Sequence, residues 1–181
     1  MSKIYVLLAQ GFETVEALSQ VDVCRRCKQD VTTVSIDNNY SVTSSHGVEV
    51  YANQLIKDTD FSDADVIVLP GGFPGYMNLA ESKEVGQVIT AHYQSGKILA
   101  AICGAPYALA VNGIGKDRRI TYHHSIKDKM TGYAYTGEKA TIDGNLITGR
   151  GAGCSFEFGI AIMSQFVDAD TIEHLNKGLE L

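Results

Sequence analysis

Lys97-Ile98-Leu99-Ala100-Ala101-Ile102-Cys103-Gly104-Ala105-Pro106 is the stretch whose reading decides the fold. Its first six residues read as a buried strand. A helix-like run through Tyr107, Leu109 and Val111 follows, with Pro106 early in it, where a missing N–H costs little. Between the two, Cys103 precedes two residues with almost no side chain, which reads as a sharp strand-to-helix elbow. Such a turn holds one reactive atom at the end of a sheet. The helix behind it presents free N–H groups and a partial positive charge. Both favour thiolate over thiol, and the thiolate is the nucleophile. A non-glycine residue in so tight a turn is strained, and strain of this kind gathers at functional sites. Cys103 is therefore the first candidate for chemistry. The alternative is a small thiol that fills the junction between strand and helix.

Working outward, Ile4 to Ala9 is a continuous apolar run, as expected of a central parallel strand covered on both faces. Thr14 to Arg26 reads as a helix, with Val15, Leu18, Val21 or Val23, and Cys24 available for its buried side. Val31 to Ile36 is a β-branched strand that closes a βαβ unit. Val42-Thr43 and Val48-Glu49-Val50 flank Ser44 to Gly47 as a hairpin expected at a sheet edge. Asp65 to Leu69 is another buried strand, running into Pro70-Gly71-Gly72, and Glu81 to Ser95 is helical. Short strands are expected at Arg119–Thr121, Ala140–Ile142 and Asn145–Thr148, with closing helices at Ser155–Phe166 and Asp170–Lys177. The alternation continues over residues 1–181 without repeats, low-complexity stretches or linkers. It predicts one doubly wound α/β domain with a mostly parallel sheet flanked by helices. Ligands in such folds bind beyond the carboxyl ends of the strands. Three polar or glycine-rich loops are expected to meet there: Gln10 to Glu16, Pro70 to Gly75, and Cys103 to Pro106.

Composition narrows the function classes. The chain has 181 residues, 45% of them hydrophobic and 20% charged, which suits a globular domain and excludes a disordered tail. Net charge is −6 and the basic residues are scattered, so nothing tracks a phosphate backbone and nucleic acid is not expected as a main partner. The apolar stretch after Met1-Ser2-Lys3 is too short for a signal peptide, and no run approaches the roughly 18 apolar residues of a membrane span. The expectation is a soluble, cytoplasmic protein with no membrane contact. Cys24, Cys27, Cys103 and Cys154 do not suggest a disulfide framework in that compartment. Cys24-Arg25-Arg26-Cys27 has redox or zinc spacing, but it falls late in a helical pattern without a second Cys/His pair. Both thiols read as helix residues, and no metal is expected.

Glu16 lies in the first turns of the helix after the first strand, one turn deeper than Glu13. Glu13 fits the ordinary role of compensating the helix dipole from solvent. A partly buried, protonated Glu16 can instead donate to a neighbouring thiolate and carry a proton for it. Pro70-Gly71-Gly72 is either a plain turn or a source of backbone N–H groups for an oxyanion, with Gly72 and Gly104 as the natural pair of donors. Tyr122-His123-His124 follows a short strand within reach of the same sheet end. His123 is a candidate base or thiolate partner, and His124 reads as a polar loop residue. His46 and His92 read as surface residues, His174 as a helix residue, and Met77, Met130 and Met163 as packing. Gly149-Arg150-Gly151-Ala152-Gly153 lacks the lysine-hydroxyl ending of a phosphate loop and is expected to be a tight turn.

Taken together, these motifs resemble the ThiJ/PfpI superfamily, and within it the branch of the parkinsonism-associated protein deglycase and its bacterial relatives. The resemblance covers nearly the whole chain. It rests on Glu16-Ala17-Leu18 with Val21-Asp22-Val23, Val68-Leu69-Pro70-Gly71-Gly72 and Ala100-Ala101-Ile102-Cys103. It continues in His123 ahead of Lys127-Asp128-Lys129-Met130, and in Thr148 with Arg150-Gly151 ahead of Ser155-Phe156-Glu157-Phe158. It implies a flavodoxin-like homodimer with no required metal or organic cofactor. Cys103 would be the easily oxidised nucleophile, Glu16 the protonated carboxyl bonded to it, Gly72 and Gly104 the backbone donors, and His123 the nearby histidine. The activities implied are conversion of methylglyoxal and glyoxal to hydroxy acids (glyoxalase III) and deglycation of early glycation adducts on side chains. The alternative is an oxidative-stress sensor or redox chaperone acting through Cys103, and a PfpI-type cysteine peptidase ranks behind both. His46 stands where the human relative has an arginine linked to its dimer interface, His124 replaces a proline, and Gly104-Ala105 reverses the order of that pair. The downstream His-x-Glu of a glutamine amidotransferase is missing, because Glu173 precedes His174, and no DNA-binding segment is appended.

Overall fold

The computed structural model describes residues 1–181. In chain order its elements are β1 (Lys3–Leu8), α1 (Thr14–Arg26), β2 (Asp30–Ser35), β3 (Ser41–Thr43), β4 (Glu49–Tyr51), β5 (Gln54–Leu55) and β6 (Val66–Leu69). There follow α2 (Gly75–Glu81), α3 (Lys83–Gln94), β7 (Ile98–Ile102), α4 (Pro106–Val111), β8 (Arg119–Ile120) and β9 (Ala134–Tyr135). The chain closes with β10 (Ala140–Asp143), β11 (Leu146–Gly149), α5 (Ser155–Met163) and α6 (Ala169–Leu179).

The main sheet runs β10-β11-β7-β6-β1-β2-β5. Every neighbouring pair is parallel except β10 with β11. Without its two edge strands, this is the flavodoxin-like order with its switch point between β1 and β6. β1 shows why the apolar runs are continuous. Tyr5, Leu7 and Ala9 enter one core with Leu79, Val85, Ile89 and Leu109 from α2, α3 and α4. Ile4, Val6 and Leu8 enter the other with Ala17, Val23, Phe158 and Ile162 from α1 and α5. Alternate side chains of one strand thus fill two separate helical layers, and its polar residue, Lys3, is left at the strand's start, where it pairs with Asp63.

Several expectations need correction. The hairpin β3–β4 forms, but as a separate two-stranded sheet; the edge beside β2 is taken by the short strand β5. β8 likewise leaves the main sheet to pair with β9. The expected Glu81–Ser95 helix begins instead at Lys83, where the Ser82 side chain caps it by accepting from Val85 N–H, and a separate α2 precedes it. On α1 the buried side is Glu16, Ala17, Ser19, Gln20, Val23 and Cys24, while Val15 is 48% exposed. The inner face is polar-looking because α5 comes very close: Gln20 Nε2 donates to Ser155 O at 3.0 Å, and a Cβ on Gly159 would lie 2.7 Å from Gln20 Oε1. His92 is buried rather than on the surface, since it sits on the inner side of α3 with Nε2 2.9 Å from Ile98 O. Cys24 and Cys27 are buried free thiols, as expected.

Candidate active site

The loops after β1, β6 and β7 meet at the switch point, and glycines let them meet. A Cβ on Gly11 (φ +83°) would lie 2.4 Å from Pro74 Cδ, and one on Gly72 (φ +93°) would lie 2.3 Å from Glu13 N. These positions therefore need glycine both for the left-handed backbone and for the close approach. Glu13 N–H donates to Gly71 O at 2.9 Å, which ties the start of α1 to the loop after β6. The Glu13 side chain accepts from Glu16 N–H at 2.7 Å and caps α1. Glu13 is thus the structural carboxylate of the helix start.

Glu16, one turn inside, is fully buried. Its Oε2 accepts the N–H of Gly71 at 2.8 Å. Its Oε1 is buried without a hydrogen-bond partner. Burial is the main force on this carboxyl and pushes it up to about 7, against the opposing pull of the Cys103 and Gly71 hydrogen bonds. A carboxyl so placed holds its proton well into the neutral range.

Cys103 stands at the elbow with φ +63°, a conformation that costs an ordinary residue on the order of 1–2 kcal/mol. Its backbone is fixed on both sides: its N–H donates to Gly149 O at 2.9 Å and its C=O accepts from His123 N–H at 2.9 Å. The side chain is half-buried, so solvent reaches it. Burial raises the thiol above its ordinary range, and an ionised Glu16 raises it further, while the amides of Gly104 and Gly72 pull it down. When Glu16 is protonated its repulsion disappears, but burial remains the main force on the thiol, so the elbow does not lower it as the sequence alone led one to expect.

Gly71 separates the two groups. A Cβ there would fall 2.7 Å from Glu16 Oε2, 2.8 Å from Cys103 Cβ and 3.1 Å from Gly104 N. Gly104 is equally constrained, because its Cβ would meet Cγ and Cδ1 of Tyr76 at 2.7 Å. Gly71 and Tyr76 were not singled out by sequence reasoning. The Gly-Gly pair was the available signal for Gly71, and nothing in the local pattern marks Tyr76.

His123 reaches the site through its main chain only. Its Nδ1 lies 2.8 Å from Ser125 Oγ and its ring centroid 4.1 Å from that of His124. Burial, then the neighbouring His124, holds His123 below the usual histidine range. A cleft of about 490 Å³ opens beside it, lined by His123, His124, Tyr135, Arg150 and Cys154 among others. Gly149, the last residue of β11, is fixed by packing, since a Cβ there would lie 2.8 Å from Ile102 Cγ1, whereas a Cβ on Gly153 would meet open space. No three His, Cys, Asp or Glu side chains gather in a metal-binding arrangement. No helix is long and apolar enough to cross a membrane.

The chain is similar to known proteins in both sequence and fold. The sequence model of the DJ-1/PfpI family matches residues 2–165. Protein DJ-1alpha of Drosophila melanogaster is 37% identical over 177 residues, covering 96% of this chain and 82% of that protein. The glutathione-independent glyoxalase DJR-1.2 of Caenorhabditis elegans is 31% identical over 180 residues, covering 98% of this chain and 95% of that protein. The crystal structure of Drosophila melanogaster DJ-1beta superposes with a TM-score of 0.96 at 32% identity, covering 100% of this chain and 99% of that one.

Proposed function

The chain belongs to the DJ-1/PfpI family, and from that premise we propose that it converts reactive α-oxoaldehydes such as methylglyoxal and glyoxal to hydroxy acids, using Cys103 as nucleophile and no added cofactor. One observation carries the reading: a buried, proton-holding Glu16 faces a half-exposed thiol across Gly71, with the Gly72 and Gly104 amides on the sulfur. A relative that is 31% identical is named a glutathione-independent glyoxalase, which supports the same chemistry.

The steps follow from the groups present. The Cys103 thiolate adds to the aldehyde carbon, and Glu16 delivers its proton to the new alkoxide, giving a hemithioacetal. The Glu16 carboxylate then takes the hydrogen from the former aldehyde carbon as a proton, forming an enediolate with its charge on the former ketone oxygen. Glu16 returns that proton to the adjacent carbon, the hydroxyl on the former aldehyde carbon passes its own proton to the charged oxygen, and a thioester of the 2-hydroxy acid results. Water cleaves the thioester, releasing the acid and the thiol. One carbon is oxidised and its neighbour reduced, so no external oxidant enters. The amides of Gly72 and Gly104 stabilise negative charge on the oxygen during addition and hydrolysis. In deglycation the Cys103 sulfur takes the place of the glycated side chain on the hemithioacetal or aminocarbinol carbon, the side chain leaves as free thiol or amine, and the later steps are the same. His123 contributes through its bond to the Cys103 carbonyl, and the protein acts as a cytoplasmic homodimer in this reading.

The test is steady-state turnover of methylglyoxal with the acid product identified. Cys103→Ser and Glu16→Gln are each expected to abolish lactate formation. Wild-type-like turnover in either variant overturns the assignment, as does an inactive wild type.

The same donors favour a second reading, in which two equivalents of peroxide oxidise Cys103 through sulfenate to sulfinate and release water at each step. Mass spectrometry after mild peroxide, set beside the turnover measurement, separates the two. Ready oxidation with negligible turnover favours sensing.

A further inference from the structure

Phe73 directly follows the backbone donor Gly72, and it is 69% exposed. It belongs to neither apolar core. Its ring lies 6.4 Å from that of Tyr76, and the Tyr76 ring lies 6.2 Å from that of Tyr107 in an edge-on arrangement. The Lys129 ammonium closes the row, 4.4 Å from the Tyr107 centroid and 5.9 Å from that of Tyr76. Tyr76 is pressed against Gly104, so closely that any side chain at that position would strike the ring. The row therefore begins at one backbone donor of the site, passes over the other, and lies within a residue of the reactive sulfur.

Exposed aromatic carbon in this place does nothing for the core. Tyr76 and Tyr107 are partly buried against the helical layer, but Phe73 has no such packing. An exposed ring beside a half-buried nucleophile is accounted for by a ligand that covers it. The methyl group of methylglyoxal is too small to cover an aromatic row. A flat aryl substituent has the area and the π-face to stack on such a ring.

We propose that Phe73, with Tyr76 and Tyr107 behind it, is a specificity-determining surface that selects α-oxoaldehydes bearing an aromatic group. The inference rests on the aldehyde reading of Cys103 and specifies its substrate. The reaction is unchanged: addition of the thiol, proton transfer through the enediol and hydrolysis together add one water to an arylglyoxal and give an aryl hydroxy acid.

The probes are phenylglyoxal and methylglyoxal, assayed side by side on the full chain. Phenylglyoxal is the more electrophilic of the two, so the informative quantity is how the ratio of their kcat/KM values changes with substitution. Phe73→Ala is expected to lower the phenyl-to-methyl ratio about tenfold, mainly through KM for phenylglyoxal, as loss of a stacked aromatic pair requires. Phe73→Tyr, which restores the ring, is expected to keep the wild-type ratio. A ratio unmoved by Phe73→Ala, with methylglyoxal turned over normally, overturns this inference and leaves the aldehyde reading intact. A Phe73→Ala protein whose oligomeric state shifts while the ratio stays constant assigns the ring to a contact between copies and overturns it too. Wild-type protein inactive on both aldehydes removes the underlying reading and this one with it.

Discussion

The N–H of Gly71 donates to Glu16 Oε2 at 2.8 Å, and the hydrogen in place of a Cβ on Gly71 is what lets that carboxyl lie beside the Cys103 thiol. Placement of the acid thus depends on a residue that has no side chain.

Gly71→Ala is therefore expected to disable the site. The new methyl would enter a space bounded by Cys103 Cβ and the Gly104 amide, which cannot move without the backbone, and by Glu16 Oε2, the end of a side chain that is buried and bonded to Gly71 N–H, so the carboxyl is what must shift. Overpacking of this kind costs about 1–3 kcal/mol, and the site is expected to lose about 100-fold or more in methylglyoxal turnover through the displaced acid. Kinetics together with urea unfolding check both parts. Normal turnover in Gly71→Ala would show that the acid is not held by this contact.

The elbow predicts a trade of stability for reactivity. Cys103 carries φ +63°, so Cys103→Gly relieves a left-handed backbone and is expected to raise unfolding stability by about 1 kcal/mol relative to Cys103→Ala. Both variants lack turnover. Thermal or denaturant unfolding of the pair decides it, and equal stability would mean that the turn is unstrained.

Glu16 also gives a pH signature with a fixed sign. Its folded-state value is raised to about 7 from an ordinary 4.5, so the folded protein binds this proton more tightly than the unfolded chain does. The resulting stabilisation is fully present below about 4.5 and is lost as pH rises through about 7. The amount is about 3 kcal/mol. Glu16→Gln lacks this contribution, so the wild-type-minus-variant stability is expected to fall across that window. Denaturant unfolding at a series of pH values measures it. A difference that is flat or rises with pH would place the proton elsewhere.

His123→Ala tests a narrower point. The bond to the Cys103 carbonyl comes from the His123 backbone, which alanine retains, and the ring is engaged with Ser125 and His124. Turnover is expected to fall by about tenfold or less, far short of the loss in Glu16→Gln. A loss equal to that of Glu16→Gln would make the imidazole a proton carrier in its own right.

Much of this molecule was legible along the chain, for a local reason. β1, β6 and β7 are read from their apolar runs because both faces are buried, β2 is read from its β-branched residues, and the elbow is read because Cys103-Gly104-Ala105-Pro106 leaves the backbone few alternatives. The edges were less legible. β5, β8 and β9 are two residues each, and their pairing is set by what lies beside them rather than by their own pattern. His92 looked like a surface residue because a lone histidine on a helix says nothing of which side faces the sheet. The inner face of α1 is not legible locally because burial of Gln20 depends on Gly159 of a helix far along the chain.

The sequence alone determined the sheet's centre and the sharp turn that carries the sulfur, since each is written in neighbouring residues, and it offered Glu16 as a candidate acid. Only the tertiary structure decided that Gly71 sits between acid and thiol, that His123 meets the site through its backbone, and that Phe73, Tyr76 and Tyr107 line up beside it. Those relations join loops that follow different strands. They arise from the distance of closest approach between backbones, which no single segment of the chain carries.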